Sequence, residues 1–312
     1  MKRHHIFGPV SSRRLGRSLG IDLVPFKTCT YNCVYCECGA TTRRTIRREV
    51  FFPIEELYAE LTDFLLSSPP LDFITFSGSG EPTLSFSIGE VIRFLKDNYP
   101  SYRVAVLTNG SLLSNPEVRR DLLSADVVLP TLSTVIKQTF LKIHCPDPGI
   151  SLEKILEGLV QFRKEYSGEI WLEVFIIPGI NTSDEELGGL REIIKKINPD
   201  RVQLNTLDRP GTEEWVLPAN RMELDRVQKI LDIAPTEIVE LYPSRAQKSS
   251  YAEDPVEQIY EMLKRRPCTV NDIVSATGLH FMEVEKIMRE MAVTHDLLIK
   301  REDRGLFYYF RE

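Results

Sequence analysis

Short β-branched runs and amphipathic stretches alternate along the chain from residue 18 to residue 233, and the alternation predicts strand-then-helix units in series. The first strand is expected over Ser18 to Val24, before a helix over Ile54 to Ser67 in which Leu57, Leu61, Phe64 and Leu65 recur at helical spacing. Further units pair Phe73 to Phe76 with Ile88 to Asn98, Arg103 to Leu107 with Pro116 to Leu123, and Asp126 to Leu129 with Leu152 to Tyr166. Two more pair Ile170 to Ile177 with Ser183 to Ile197, which starts with the capping residues Thr182-Ser183-Asp184-Glu185, and Arg201 to Leu204 with Met222 to Ile233. Six units of this kind predict an α/β fold, a partial (β/α)6 barrel in which chemistry collects where the strands end.

Near residue 245 the pattern changes. Ser244 to Ser250 reads as a polar linker, Pro255 to Arg265, Val270 to Ala276 and Phe281 to Thr294 as three helices, and Leu297 to Ile299 with Leu306 to Phe310 as a hairpin. The expected division is a barrel over residues 1–245 and a small winged helix-turn-helix domain over 251–312.

Composition bounds the class. A chain of 312 residues with 42% hydrophobic content supplies an ordinary core. No apolar run approaches the roughly 20 residues of a membrane span. The start, Met1-Lys2-Arg3-His4-His5, lacks an apolar leader, and six cysteines do not form a disulfide framework, so a reducing cytoplasmic setting without membrane attachment is expected. The net charge of −6 is uneven: residues 1–50 carry ten Lys or Arg against three acids, a net of +7, leaving −13 for the rest. That excess favours an anionic partner; pairing of the same arginines with acids of neighbouring helices is the competing reading.

The chemistry centres on Cys29-Thr30-Tyr31-Asn32-Cys33-Val34-Tyr35-Cys36, which holds three of the six cysteines. Thiolates at C-x3-C-x2-C can each bind a different iron of a 4Fe-4S cube and leave the fourth iron open. Zinc is the rival, but a structural zinc wants four ligands, and Cys38 sits only two residues on, where the chain can hardly turn back. Unliganded thiols are the third reading.

Ser77-Gly78-Ser79-Gly80-Glu81-Pro82-Thr83 puts two glycines where backbone can approach a ligand and a carboxylate where it can accept from an ammonium group. Together with the cysteine motif, this turn resembles the radical S-adenosylmethionine superfamily across roughly residues 5–240. The resemblance implies that Cys29, Cys33 and Cys36 ligate a 4Fe-4S cluster whose open iron takes the amino and carboxylate groups of S-adenosylmethionine. By the same resemblance Tyr35 lies against the adenine, and Gly78, Gly80 and Glu81 hold the methionine amino group. Asn109, Ser133, Glu173, Asn181, Gln203 and Asn205, at or beyond the ends of strands three to six, are implied contacts to ribose, carboxylate and adenine. The implied reaction is reductive cleavage of the sulfonium to a 5'-deoxyadenosyl radical, which takes hydrogen from substrate.

Within the superfamily, the leader Phe7 to Gly20, the turn Gly78 to Leu84 and the stretch Gln203 to Pro210 look like a branch distantly grouped with wyosine-type tRNA-modifying enzymes. It implies a macromolecular or anionic substrate, a tRNA first and a peptide second, and an external electron donor such as flavodoxin or ferredoxin. A different class, an iron-sulfur redox-responsive regulator in which the winged helix reads DNA, competes with the enzyme. Residues 251–312 hold nine Lys or Arg against twelve acids, so that module has no strongly basic face for phosphate, and protein or peptide docking stands beside nucleic-acid contact. Cys38, Cys145 and Cys268 lack ligand spacing, and His4 and His5 read as a surface pair. His144 reads either as facing the barrel mouth or as a structural hydrogen bond, Arg13 and Arg14 as anion contacts or structural ion pairs.

Overall fold

The computed structural model describes residues 4–239 and 255–310; the expected linker Ser244 to Ser250 lies outside them. Eight strands follow one another across a single sheet in chain order. They are β1 (Ile6–Ser12), β2 (Gly16–Ile21), β3 (Phe73–Phe76), β4 (Arg103–Thr108), β5 (Val127–Pro130), β6 (Glu169–Phe175), β7 (Arg201–Asn205) and β8 (Thr236–Ile238). From β2 onward every pairing is parallel, with α1 (Ile54–Leu65), α2 (Ile88–Asn98), α3 (Pro116–Leu122), α4 (Lys137–His144), α5 (Leu152–Glu165), α6 (Asp184–Ile197) and α7 (Arg221–Ile230) in the crossovers.

The six expected strands are present, and each edge gains one. At one edge β1 runs antiparallel to β2, with a register shift between Phe7 and Val10. The dipeptide Gly8-Pro9 breaks the alternation that would have marked β1, yet proline is tolerated on an edge strand because no neighbour needs its missing N–H. At the other edge β8 is three residues long, too short to show a period. Helix α4 carries no start signal in the sequence, because its N-cap position, Ile136, offers no side-chain cap.

In-register pairing separates the two faces of the sheet. Leu19, Ile21, Ile74, Phe76, Val104, Val106, Val128, Ile170, Leu172, Val174, Val202 and Leu204 pack under the helices in the main core. The alternate positions Phe73, Ala105, Val127, Leu129 and Trp171 point into the lumen around Leu15 from the β1–β2 turn. Glu173, beside Gln203 in the register, begins a polar layer above them.

Beyond the gap in the described residues, α8 (Pro255–Arg265), α9 (Val270–Thr277) and α10 (Phe281–Thr294) precede the antiparallel hairpin β9 (Leu297–Glu302) and β10 (Gly305–Phe310). Their own core joins Ile259, Leu263, Cys268, Ile273, Leu279, Val284, Met288 and Met291. Among the described residues no helix is long and apolar enough to cross a membrane.

Candidate active site

After β2 the chain enters a loop with little regular structure, so its backbone groups must find partners elsewhere. The Lys27 N–H donates to the Ser79 carbonyl at 3.1 Å, and the Glu81 N–H donates to the Thr28 carbonyl at 3.1 Å. The Asn32 N–H donates to the His144 carbonyl and the Val34 N–H to the Ile143 carbonyl, each at 3.0 Å, which docks the loop on the C-terminus of α4. The Asn32 side chain accepts from the Thr41 N–H at 2.7 Å and closes the loop on itself.

All cysteines are free, and Cys29, Cys33 and Cys36 are half-buried within one electrostatic neighbourhood. Each of the three sulfurs has its own polar neighbour. The Lys27 ammonium donates to Cys36 Sγ at 3.1 Å, His144 Nδ1 lies 3.3 Å from Cys33 Sγ, and the Asn109 amide donates to Cys29 Sγ at 3.5 Å. A hydrogen bond from Cys38, with the Lys27 charge, brings the Cys36 thiol down to about 5 against the cost of burial. Burial, then the charge of Glu81, pushes Cys29 up to about 12, and burial with the two neighbouring sulfurs raises Cys33. Cys36 is thus the most readily ionised of the three, while Cys29 and Cys33 need positive charge beside them, which an iron-sulfur core would supply by deprotonating a coordinating thiol outright. The donor set therefore fits a 4Fe-4S cluster. Among the described residues the side chains as they stand do not close around a metal ion, so the fit rests on the number and spacing of the thiol donors on this one loop.

The turn after β3 explains its glycines. A Cβ on Gly78, at φ +127°, would stand 1.7 Å from Asp22 Oδ1, and one on Gly80 would stand 2.3 Å from the Thr28 carbonyl oxygen. Both glycines admit the chain after β2, Gly78 against Asp22 and Gly80 against Thr28. Glu81 is 2% exposed. Its carboxylate accepts from the Thr83 N–H and hydroxyl, the Thr108 hydroxyl and the Asn109 N–H, at 2.5 to 3.1 Å. Three of these donors share Oε1 and one reaches Oε2, and together they tie the turn to the end of β4. Burial outweighs them and raises its pKa.

Across the mouth, Glu173 accepts from Arg14 at 2.6 Å, the Thr131 hydroxyl at 2.7 Å and the Asn205 amide at 3.0 Å. Against the cost of burial, Arg14 and these hydrogen bonds hold Glu173 below the usual carboxylate range. Tyr35 stacks on Phe175 with centroids 3.9 Å apart, and its hydroxyl lies 3.3 Å from His144 Nδ1. Burial lowers His144 to about 3, so the imidazole is neutral.

The structure thus brings Cys29, Cys33, Cys36, Asn109 and the Glu81 turn into one cluster of contacts, and Glu173 and Asn205 into another. Three further residues are turned into the protein. Asn181 donates to the Ser133 and Phe175 carbonyls and accepts from the Ile177 N–H, so its amide organises the loop after β6. Ser133 is fully buried and accepts from the Phe175 N–H, and Gln203 donates to Glu237 at the edge strand. The sequence reading passed over Lys27 except as a charge and over the Asp22 contact, because their partners are set by tertiary contacts. Cys145 caps α4, Cys268 is in the core of the C-terminal unit, and His5 stacks on Phe52.

The C-terminal unit reaches this mouth. Arg265 of α8 pairs with Asp22, the residue against Gly78. Arg304 bridges Asp208 and Asp272 at 2.5 and 2.6 Å, while Arg209, 4% exposed, joins Asp272 to Glu37 of the cysteine loop. Arg13 lies 3.5 Å from Asp208, so both leading arginines are in ion pairs.

Comparison with known proteins gives the context of this geometry. Residues 23–190, more than half of the chain, match the radical SAM superfamily. A UPF0026 protein of Methanocaldococcus jannaschii is 31% identical over 98% of this chain and 95% of its own length. A Brachyspira hyodysenteriae protein described as GTPase Obg is 37% identical over 93% of this chain, but the chain spans only 43% of that protein. A solved radical SAM methyltransferase from Sphaerobacter thermophilus superposes with a TM-score of 0.55 at 16% identity, over 71% of this chain and 65% of its own. The structure of TYW1 with a lysine-pyruvate adduct does so at 0.53 and 16%, over 73% and 76%. At such identities the two structures speak for the fold alone. The chain belongs to the radical SAM superfamily and is a radical SAM enzyme; enzymes of this superfamily work with a 4Fe-4S cluster and S-adenosylmethionine.

Proposed function

We propose that Cys29, Cys33 and Cys36 hold the cluster at the barrel mouth and that the enzyme abstracts hydrogen from an anionic macromolecule, an RNA of the tRNA kind. The observation that supports the cluster site is the set of three free thiols on the loop that docks against the Gly78–Glu81 turn, each with its own polar neighbour. When bound, the cluster and S-adenosylmethionine supply reductive cleavage to a 5'-deoxyadenosyl radical. Tyr35, fixed by Phe175 and His144, offers an aromatic wall for the adenine. Gly78 and Gly80 bring the turn against the cysteine loop, and Glu81, with its carboxylate engaged inside the protein, fixes the main chain that meets the methionine end. Asn109, Glu173 and Asn205 are the polar groups we assign to the cofactor directly; Ser133, Asn181 and Gln203 serve it by holding the walls. A separate donor of the flavodoxin or ferredoxin kind delivers the electron.

The RNA assignment rests on the net charge of +7 over residues 1–50, which surround the cysteine loop in sequence. One observation favours a peptide instead: the C-terminal unit, which we read as a winged helix, is net acidic over residues 251–312 and touches the mouth. Anaerobic reconstitution with iron and sulfide, then dithionite and S-adenosylmethionine, is expected to yield 5'-deoxyadenosine; none from a fully loaded cluster refutes the reading. Mass analysis of what co-purifies anaerobically separates RNA from peptide.

A further inference from the structure

Lys27 is 3% exposed, a depth at which an ammonium group needs a counter-charge. Among the described residues no carboxylate pairs with it; its side chain donates to Cys36 Sγ at 3.1 Å. The backbone spends strain to put it there, since Lys27 has φ 55°, a region an L-residue with a long side chain seldom enters. That conformation is pinned on both sides: the Lys27 N–H donates to the Ser79 carbonyl of the glycine turn, and its carbonyl accepts from the Thr42 and Arg43 N–H groups at 3.2 Å each. The three sulfurs are therefore not equivalent. Cys33 faces an imidazole and Cys29 an amide, while Cys36 faces the lysine ammonium.

Resting on the cluster reading above, we propose that Lys27 is a positioning residue that sets the reduction potential of the cluster through the Cys36 sulfur. Reduction adds one electron from the external donor and no proton, so the cluster with its thiolates becomes more negative by one charge. A fixed cation beside one ligand stabilises the reduced form more than the oxidised one and raises the potential. The same contact gives the buried ammonium its counter-charge when Cys36 is a thiolate.

The test is an anaerobic EPR redox titration of the reconstituted full-length protein. Lys27→Met, which keeps the stem and removes the charge, is expected to lower the equilibrium constant for reduction at least tenfold, about 59 mV for one electron. Iron and sulfide content should stay at the wild-type level, and Lys27→Arg should hold the potential within about threefold of wild type in the same constant. A fully loaded Lys27→Met protein at the wild-type potential overturns the proposal and leaves the cluster site intact; a wild-type protein that takes up no 4Fe-4S cluster overturns both. If Lys27→Met fails to load, the wild-type protein labelled with 15N-lysine decides: a hyperfine coupling between one lysine nitrogen and the reduced cluster supports the contact, and its absence refutes it.

Discussion

On one side of the barrel mouth, the cysteine loop and the turn over residues 77–83 are locked by main-chain hydrogen bonds and by approaches so close that only glycine fits. On the other side, β6 presents Glu173, which accepts from the side chains of Arg14, Thr131 and Asn205, the last of these on β7. The first side places atoms through the backbone and tolerates almost no change of volume. The second places them through charge and hydrogen bonds, which depend on pH and can be weakened one at a time. A site built this way has a rigid half, where we propose the cluster, and an adjustable half facing the lumen.

The largest effect should come from removing a ligand on the rigid side. Cys29→Ala is expected to drop cluster iron and 5'-deoxyadenosine formation to background, whereas Cys145→Ala, at the cap of α4, should leave both near wild type; iron analysis and product assay check this pair. If both variants behave alike, the rigid half is not where the cluster sits.

Next comes volume. Gly80→Ala places a methyl 2.3 Å from the Thr28 carbonyl, which is backbone and cannot step aside. Overpacking of this kind costs about 1–3 kcal/mol, and a lowered melting temperature should accompany weaker cluster loading. A variant that loads normally would show that the turn and the loop move independently.

The smallest effect is expected on the adjustable side. Arg14→Met removes the cation from Glu173 and should cost about 2 kcal/mol at neutral pH, the worth of a hydrogen bond to a charged group. The sign with pH follows from linkage. Against the pull of burial, Arg14, Thr131 and Asn205 keep the folded-state pKa of Glu173 depressed. Its contribution is thus present above the unfolded carboxylate value and lost as pH falls through the lower folded value. In Arg14→Met that loss should begin at a higher pH, seen in urea unfolding between neutral and acid pH. Curves that stay parallel would assign Arg14 a packing role only.

The same contrast explains how much of the molecule was legible beforehand. Six strands and six helices, the three-cysteine spacing and the glycine turn are local features, each written within a dozen or so consecutive residues. The edge strand β1 was hidden by Gly8-Pro9, and α4 by the absence of a cap. The polar residues after the strands were found as a group, but whether each faces the lumen or the loop backbone was not, and Asn181 turned inward.

The sequence by itself determined the order of strands and helices and the thiols at a cluster's spacing, because hydrophobic period and ligand spacing are properties of neighbouring residues. Only the tertiary structure decided that His144 meets Cys33 from 111 residues away, that Asn109 meets Cys29 from 80, and that Asp22 stands against Gly78. Those partners depend on strand register and on how a loop docks against a distant helix, and a shift of one residue in either would exchange them.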